Sequence, residues 1–352
     1  MNRRVFLDPR RLLANAGQVL GALDDLSTPV PAAATEPIDL LRFSRRAMAT
    51  TFEVVVPYGT PLAYALAESA LDEIDRLEDQ LTVYRDTSEV SRLNRLASEM
   101  PVAVEERLFG LLELAFRLWQ ETEGAIDITN GALTKAWGFF RRCGRVPSPS
   151  ERQQVLTQIG MRHLVLERET RAVRCLQPGL EINLGSIGKG YALDRAASML
   201  RDDWGLSAAV LHGGHSSIYA LGSAPGDGRG WPVGVQHPWD AERRLAMIRL
   251  RDKGLATSAA TFQHVEFHGR KLGHILDPRT GWPAEGMASV TVIAPTAAEA
   301  DALATAFFIL GVNRTRAYCA AHPGIGALLL PDSESARPLV VGLSPQEIHL
   351  LP

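Results

Sequence analysis

The run Glu181-Ile182-Asn183-Leu184-Gly185-Ser186-Ile187-Gly188-Lys189-Gly190-Tyr191-Ala192-Leu193-Asp194 constrains this chain more than any other stretch. It reads as a short strand that passes through a glycine-rich turn and opens directly into a helix from Tyr191 to Arg201. Backbone N–H groups, a lysine and a helix N-terminus then converge on one spot, which is what an anion needs. Glycines can adopt backbone conformations closed to other residues, and they let a phosphate reach the main chain without meeting a Cβ. The run is not a P-loop, because Gly190 follows Lys189 where Ser or Thr is required, and its glycine spacing misses the dinucleotide fingerprint. Alone it also fits a tight strand-to-helix turn with a solvated lysine, so other segments must decide.

At 352 residues, 46% hydrophobic and 22% charged, the chain can build one elaborate domain or two. A formal net charge of −3 with dispersed basic residues gives no nucleic-acid footprint. Cys143, Cys175 and Cys319 are too few and too scattered for a disulfide framework or a zinc pattern. His212, His215, His237, His264 and His268 offer no pair at zinc-ligand spacing. No stretch approaches the roughly 18 apolar residues of a membrane span, and residues 1–23 lack a signal-like apolar run. That favours a cytoplasmic location and leaves export open. Residues 1–40 read as a tail and linker, 41–345 as the folded domain and 346–352 as a C-terminal tail.

Within the domain, Phe52 to Pro57 is strand-like, and Tyr64 to Gln80 carries Leu66, Ala67, Leu71, Ile74 and Leu77 at helical spacing. The polar loop Tyr84 to Asn94 holds a helix N-cap at Asp86 or Ser88. Helices are predicted over Glu105 to Glu123 and Glu151 to Ile159, with strands near His163 to Glu167 and Ala172 to Leu176. Ala208 to His212 leads through Gly213-Gly214-His215-Ser216-Ser217 into Ile218 to Leu221. Further strands follow at Trp231 to Gln236, Leu245 to Leu250, His264 to His268 and Val290 to Ala294, in the rhythm of an antiparallel meander. Thr296 opens a last helix, with Glu299 at capping-box spacing.

Two spacings carry chemical hints. Asp301 and Thr305 lie four apart on that helix, so their oxygens project from one face and can share a hard cation such as Mg²⁺; the same spacing also describes a solvated face. Asp127, beside Gly124, is a turn or cap residue when read alone.

Taken together, the segments resemble one family, the ApbE-type FAD:protein FMN transferases. The resemblance rests on Ala47-Met48-Ala49-Thr50, Tyr84 with Ser88 to Asn94, Ala125-Ile126-Asp127 before Trp137-Gly138-Phe139, and Asn183 to Asp194. Gly213-Gly214, Thr257-Ser258, His274-Ile275-Leu276-Asp277-Pro278 with Thr280-Gly281, and Ala300-Asp301 to Thr305 complete it. It implies an α+β fold of mixed, largely antiparallel sheets flanked by helices, with FAD in a cleft between two subdomains. It also implies a Mg²⁺-dependent enzyme that moves FMN from FAD onto a Thr or Ser hydroxyl of a client flavoprotein, releasing AMP. The acceptor lies in a Ser/Thr-Gly-Ala-Thr-like motif.

By the same resemblance Met48 and Tyr84 would lie at the flavin, Ala125, Ile126 and Asp127 would bind it through backbone and carboxylate, and Asn183, Lys189 and Leu276 would complete the FAD site, with Lys189 meeting phosphate. The Ser186 carbonyl, Asp301 and Thr305 would hold the metal, and His274 or Asp277 would be the base. Three departures stand out: His215 where the family commonly has Asp, Asn183 likewise, and Ala259 where it has Gly. Two other activities share the site: a Mg²⁺-dependent FAD pyrophosphatase giving FMN and AMP, and a non-catalytic FAD-binding protein.

Overall fold

Side chains alternate across the strands so cleanly that both faces of the main sheet can be read from them. In Thr50–Pro57, Phe52, Val54 and Val56 enter one core while Val55 enters another, and Ala209 and Leu211 oppose Val210 in the same way. Val290 and Val292 oppose Ile293, and Leu329 opposes Leu328 and Leu330. A sheet buried on both faces in this way needs a layer on each side.

The structure is a computed structural model; it describes residues 39–351 except 142, 215, 260–263, 334 and 335. The expectations for the N-terminal tail (1–38) and for His215 lie outside the described residues. The chain runs β1 (Leu40–Ala47), β2 (Thr50–Pro57), α1 (Ala63–Leu81), α2 (Glu89–Leu96), β3 (Val102–Ala103), α3 (Glu106–Glu121), α4 (Gly131–Ala136) and α5 (Pro149–Gln158). It continues through β4 (Leu164–Glu167), β5 (Ala172–Cys175), α6 (Gly188–Asp202), β6 (Ala209–Gly213), β7 (Ser217–Leu221), β8 (Trp231–His237), β9 (Asp240–Leu250) and β10 (Lys253–Ala259). The last elements are β11 (His264–Phe267), β12 (Arg270–Gly273), β13 (Leu276–Asp277), β14 (Trp282–Pro283), β15 (Met287–Ala294), α7 (Ala297–Ala321), β16 (Gly326–Pro331), β17 (Leu339–Val341) and β18 (Ile348–Leu350).

The main sheet has eight strands in the order β1-β2-β6-β7-β10-β15-β16-β17, every neighbouring pair antiparallel. Helices α1, α6 and α7 pack on one face and form the larger core. The other face is covered by the three-stranded sheet β18-β9-β8 through Trp231, Val233, Ile248, Leu250 and Ile348. A satellite core joins α4 and α5 to the β12–β14 segment through Leu133, Trp137, Val155, Leu272 and Leu276. This is the expected α+β fold of largely antiparallel sheets flanked by helices.

Capping explains several helix starts. Ser88, rather than Asp86, caps α2, its Oγ accepting the Ser91 N–H at 3.0 Å. Ser148 accepts the Glu151 N–H, with Pro149 at the first position of α5. Thr296 caps α7 by accepting the Glu299 N–H at 3.1 Å. That helix is interrupted at Gly311, whose φ of 71° and ψ of −174° leave the helical region.

Two boundaries differ from expectation. The segment read as a C-terminal tail contributes β18, paired antiparallel with β9 from Ile348 opposite Ile248 to Leu350 opposite Ala246. Three residues that bury only Ile348 are too short for a periodic signal. The stretch before the glycine-rich turn is not a strand but a single parallel bridge between Glu181 and Asn130, and the helix begins at Gly188 rather than Tyr191.

Candidate functional site

The early start of α6 changes the roles of the three glycines in the opening motif. Ile187 and Gly188 both donate their N–H to the Leu184 carbonyl, closing the turn within the protein. None of Gly185, Gly188 and Gly190 has a positive φ, so the turn does not use glycine's left-handed freedom. Gly190 serves proximity instead: a Cβ there would sit 2.1 Å from the Ala297 carbonyl oxygen, so only glycine lets α6 meet the start of α7. The Gly190 N–H donates to Asp301 Oδ2 at 2.9 Å, while Tyr191 donates to Ile187. Gly190 is the third residue of α6, so its N–H is one that a helix leaves without an internal partner, and Asp301 supplies one. Ser186 precedes the helix, and its carbonyl lies outside the helical ladder.

Asp301 is only 7% exposed, which removes the reading of a solvated face. Its Oδ1 accepts the Ser217 hydroxyl at 2.7 Å, and Lys189 Nζ lies 3.6 Å from Oδ2. Thr305 Oγ1 lies 3.4 Å from the Asp301 carbonyl and 3.3 Å from Ser258 Oγ. Lys189, Asp301, Thr305, Ser217 and Ser258 thus gather where α6 and α7 cross the sheet, with Ser186 on the turn that opens α6. Among the described residues no group of three or more His, Cys, Asp or Glu side chains is arranged for a metal. The Asp301 carboxylate, the Thr305 hydroxyl and the Ser186 carbonyl are hard oxygen donors, of the kind that suits Mg²⁺ when phosphate oxygens and water complete its shell.

The residues just before this turn, Glu181 to Asn183, help line a cleft of about 270 Å³ together with Val83, Asp86, Asn94, Lys135 and Phe140, among others. Asn94 fixes its floor: its Nδ2 donates to the Ile182 carbonyl at 2.9 Å and its Oδ1 accepts the Ile182 N–H at 2.7 Å. Asn183 Oδ1 accepts the Gly185 N–H at 2.9 Å, a bond an aspartate would make equally, so this departure keeps the local turn. At the mouth, the largely exposed Tyr84 stacks on Phe140 with ring centroids 4.6 Å apart. Lys135 lies 5.1 Å from the Phe140 centroid and 2.7 Å from Glu181. The sequence reading missed Phe140 and Lys135; the only cue was that they flank Trp137-Gly138-Phe139.

Other expected residues have different surroundings. Asp127 is buried, its Oδ1 accepting the Thr129 N–H and hydroxyl at 2.8 and 2.5 Å and its Oδ2 the Met161 N–H at 3.3 Å. Burial pushes its pKa up. Its carboxylate ties the 125–131 loop to residue 161, and Ala125 and Ile126 are likewise buried. Leu276 belongs to the satellite core. Met48 lies in the two-residue β1–β2 hairpin with φ of 48°, followed by Ala49 at 61°, a left-handed pair that favours Asn-Gly. The Met48 N–H donates to Glu78 Oε2 at 2.8 Å.

His274 is half-buried, its ring edge-on to Phe139 at 6.5 Å. Asp277 is taken up by Arg279, whose N–H, Nε and Nη2 donate to its carboxylate at 3.0, 2.8 and 2.8 Å. The turn they shape is pinned by Trp137, whose Nε1 donates to the Gly281 carbonyl at 2.9 Å. His212, one of the histidines considered for zinc, is committed to Glu53 at 2.9 Å.

The sequence profile of the ApbE family matches residues 48–329. The chain belongs to the ApbE family. It is 34% identical over 287 residues to an FAD:protein FMN transferase of Treponema pallidum, covering 76% of this chain and 79% of that protein. It is 33% identical over 258 residues to an FAD:protein FMN transferase of Escherichia coli K12, covering 71% and 72%. The crystal structure of the ApbE protein of Thermotoga maritima matches with a TM-score of 0.76 at 29% identity, over 86% of this chain and 97% of that one. The flavin transferase ApbE of Vibrio cholerae gives 0.75 at 28%, over 87% and 98%. Family membership makes the chain an enzyme of the flavin transferase class. Among the described residues no helix is long and apolar enough to cross a membrane.

Proposed function

We propose that the chain transfers FMN from FAD to a Thr or Ser hydroxyl of a client flavoprotein, in a Mg²⁺-dependent reaction that releases AMP. The observation that carries this reading is the buried Asp301, held beside Lys189 at the start of α6, the helix that follows directly on the Asn183 segment lining the cleft. FAD lies in that cleft, with Tyr84 and Met48 near the flavin. Ser186 through its carbonyl, Asp301 and Thr305 hold the metal, which when bound neutralises charge on the pyrophosphate. Lys189, on the first turn of a helix, adds positive charge where the leaving phosphate oxygen becomes anionic.

In the reaction the acceptor oxygen bonds to the phosphorus of the FMN half, the bond from that phosphorus to the bridging oxygen breaks, and AMP leaves with the bridging oxygen. The hydroxyl proton passes to a base. His274 suits that role better than Asp277, because the Asp277 carboxylate already accepts three N–H bonds from Arg279.

The test is intact-mass analysis of a domain bearing a Ser/Thr-Gly-Ala-Thr-like motif after incubation with the enzyme, FAD and Mg²⁺, with AMP and free FMN quantified together. A mass gain of one esterified FMN with matching AMP supports the proposal. AMP with free FMN and no adduct would replace it by a pyrophosphatase, and bound FAD without AMP by a flavin-binding protein.

A further inference from the structure

Two aspartates are exchanged between the N-termini of α6 and α7. Asp301, on α7, accepts the Gly190 N–H at the start of α6. Asp194, on α6, accepts the Ala297 and Ala298 N–H groups at the start of α7, at 2.7 and 2.8 Å. The first N–H groups of a helix have no partner inside it, and a carboxylate there also meets the positive end of the dipole. Each helix therefore supplies the anion that the other's first turn lacks, across the close approach that Gly190 permits.

Asp194 and Thr296 share the cap of α7: Thr296 takes the Glu299 N–H, and Asp194 takes those of Ala297 and Ala298. Asp194 is also a costly side chain to retain, since burial pushes its pKa up to about 7. What the extra contact does is fix the backbone at Ala297 and Ala298, one helical turn before Asp301. Ser217, fully buried on β7, completes the hold by donating its hydroxyl to Oδ1, while Gly190 takes Oδ2. The position of the Asp301 carboxylate along the helix and its rotation about the side chain are thus set by different residues.

We propose that Asp194 and Ser217 are positioning residues for Asp301 as a metal ligand, Asp194 through the end of α7 and Ser217 through the carboxylate itself. The inference rests on the metal reading given above. Partners that orient a ligand without touching the metal are worth about 10- to 100-fold in metal affinity.

The experiment titrates Mn²⁺ into the full-length, FAD-saturated enzyme at pH 8 without acceptor, following free Mn²⁺ by electron paramagnetic resonance. FAD affinity is measured separately in EDTA by flavin fluorescence. The variants are Asp194→Asn, Ser217→Ala and Asp301→Ala. Ser217→Ala removes one hydroxyl and keeps the inquiry open should Asp194→Asn fail to fold. Mn²⁺ binding weakened about tenfold or more in Asp194→Asn and Ser217→Ala, with FAD affinity in EDTA unchanged, is the expected result. Wild-type Mn²⁺ affinity in both, where Asp301→Ala has lost it, would overturn the inference. So would a parallel loss of Mn²⁺ and FAD affinity, which marks a general packing role. If wild type and Asp301→Ala bind Mn²⁺ alike, the metal reading itself falls, and the inference with it.

Discussion

The Asp277 carboxylate and the Arg279 guanidinium form a two-point fork, Nε and Nη2 each donating at 2.8 Å, two residues apart on one turn. A carboxylate held in this way shapes the turn beside His274 and has little capacity left to accept a substrate proton. His274→Asn is expected to lower single-turnover FMN transfer by about 10²- to 10⁴-fold, the usual worth of a general base, while leaving FAD affinity in EDTA intact. Asp277→Asn should lose less, in step with its melting temperature. Comparing the two variants' rates against their thermal stability checks the assignment, and a larger chemical loss in Asp277→Asn would reverse it.

Trp137 is wholly buried, and its indole N–H meets the Gly281 carbonyl at the far end of the same turn. Trp137→Phe keeps most of the apolar bulk but strands a buried carbonyl, at a cost of about 1–3 kcal/mol. Urea unfolding should show that loss, with FMN transfer reduced through the displaced turn. A variant as stable as wild type would mean that water replaces the indole.

Gly190→Ala tests the helix crossing. The added methyl would stand 2.1 Å from the Ala297 oxygen and 2.7 Å from the Ala298 nitrogen, both backbone atoms that cannot swing away. Overpacking of this kind costs about 1–3 kcal/mol and more where backbone must move, despite alanine's better helix propensity. Circular dichroism melting decides, and an unchanged or raised midpoint would mean that the helices separate freely.

The strands were legible as short apolar runs such as Phe52 to Pro57, but their two faces were not: that Phe52, Val54 and Val56 enter one core and Val55 the other is a matter of packing. The meeting of Lys189 and Asp301 was legible only through the resemblance, because 112 positions separate them and no local spacing couples their helices. The role of the glycines in Gly185-Ser186-Ile187-Gly188-Lys189-Gly190 was not legible, since glycine signals both left-handed turns and close packing; none of the three has a positive φ, and close packing applies at Gly190. The contacts of Asp127 with Thr129 were not legible, because the partners a buried carboxylate takes depend on packing that residue type does not encode. The Tyr84–Phe140 stack joins two loops with no shared periodicity.

Asp194 gives stability a distinct pH dependence. Its pKa rises from 3.8 to about 7, chiefly through burial, which outweighs the bonds from Ala297 and Ala298; nearby Glu299 and Asp301 add to the rise. Between those values the folded chain binds a proton that the unfolded chain releases. The stability from this group is therefore full below about pH 4 and lost as pH rises through about 7, a change on the order of 4 kcal/mol. Urea unfolding of wild type and Asp194→Asn at intervals from pH 5 to 8 isolates it. The stability difference should move in favour of the asparagine variant as pH rises, and a difference independent of pH would remove the shifted carboxyl from the account.

The β1–β2 hairpin turns on Met48 and Ala49, both with positive φ, where a two-residue turn ordinarily has Asn-Gly. A non-glycine residue in the left-handed region costs about 1–2 kcal/mol, partly offset in Ala49→Gly by the greater freedom of the unfolded chain. Ala49 is exposed, so no packing is lost on its removal. Ala49→Gly is expected to stabilise the protein by about 0.5–1 kcal/mol, seen as a small rise in melting temperature. FAD affinity should hold, because the Met48 backbone stays tied to Glu78. A stabler variant that binds FAD more weakly would show instead that the strained pair sets the position of Met48 against the flavin.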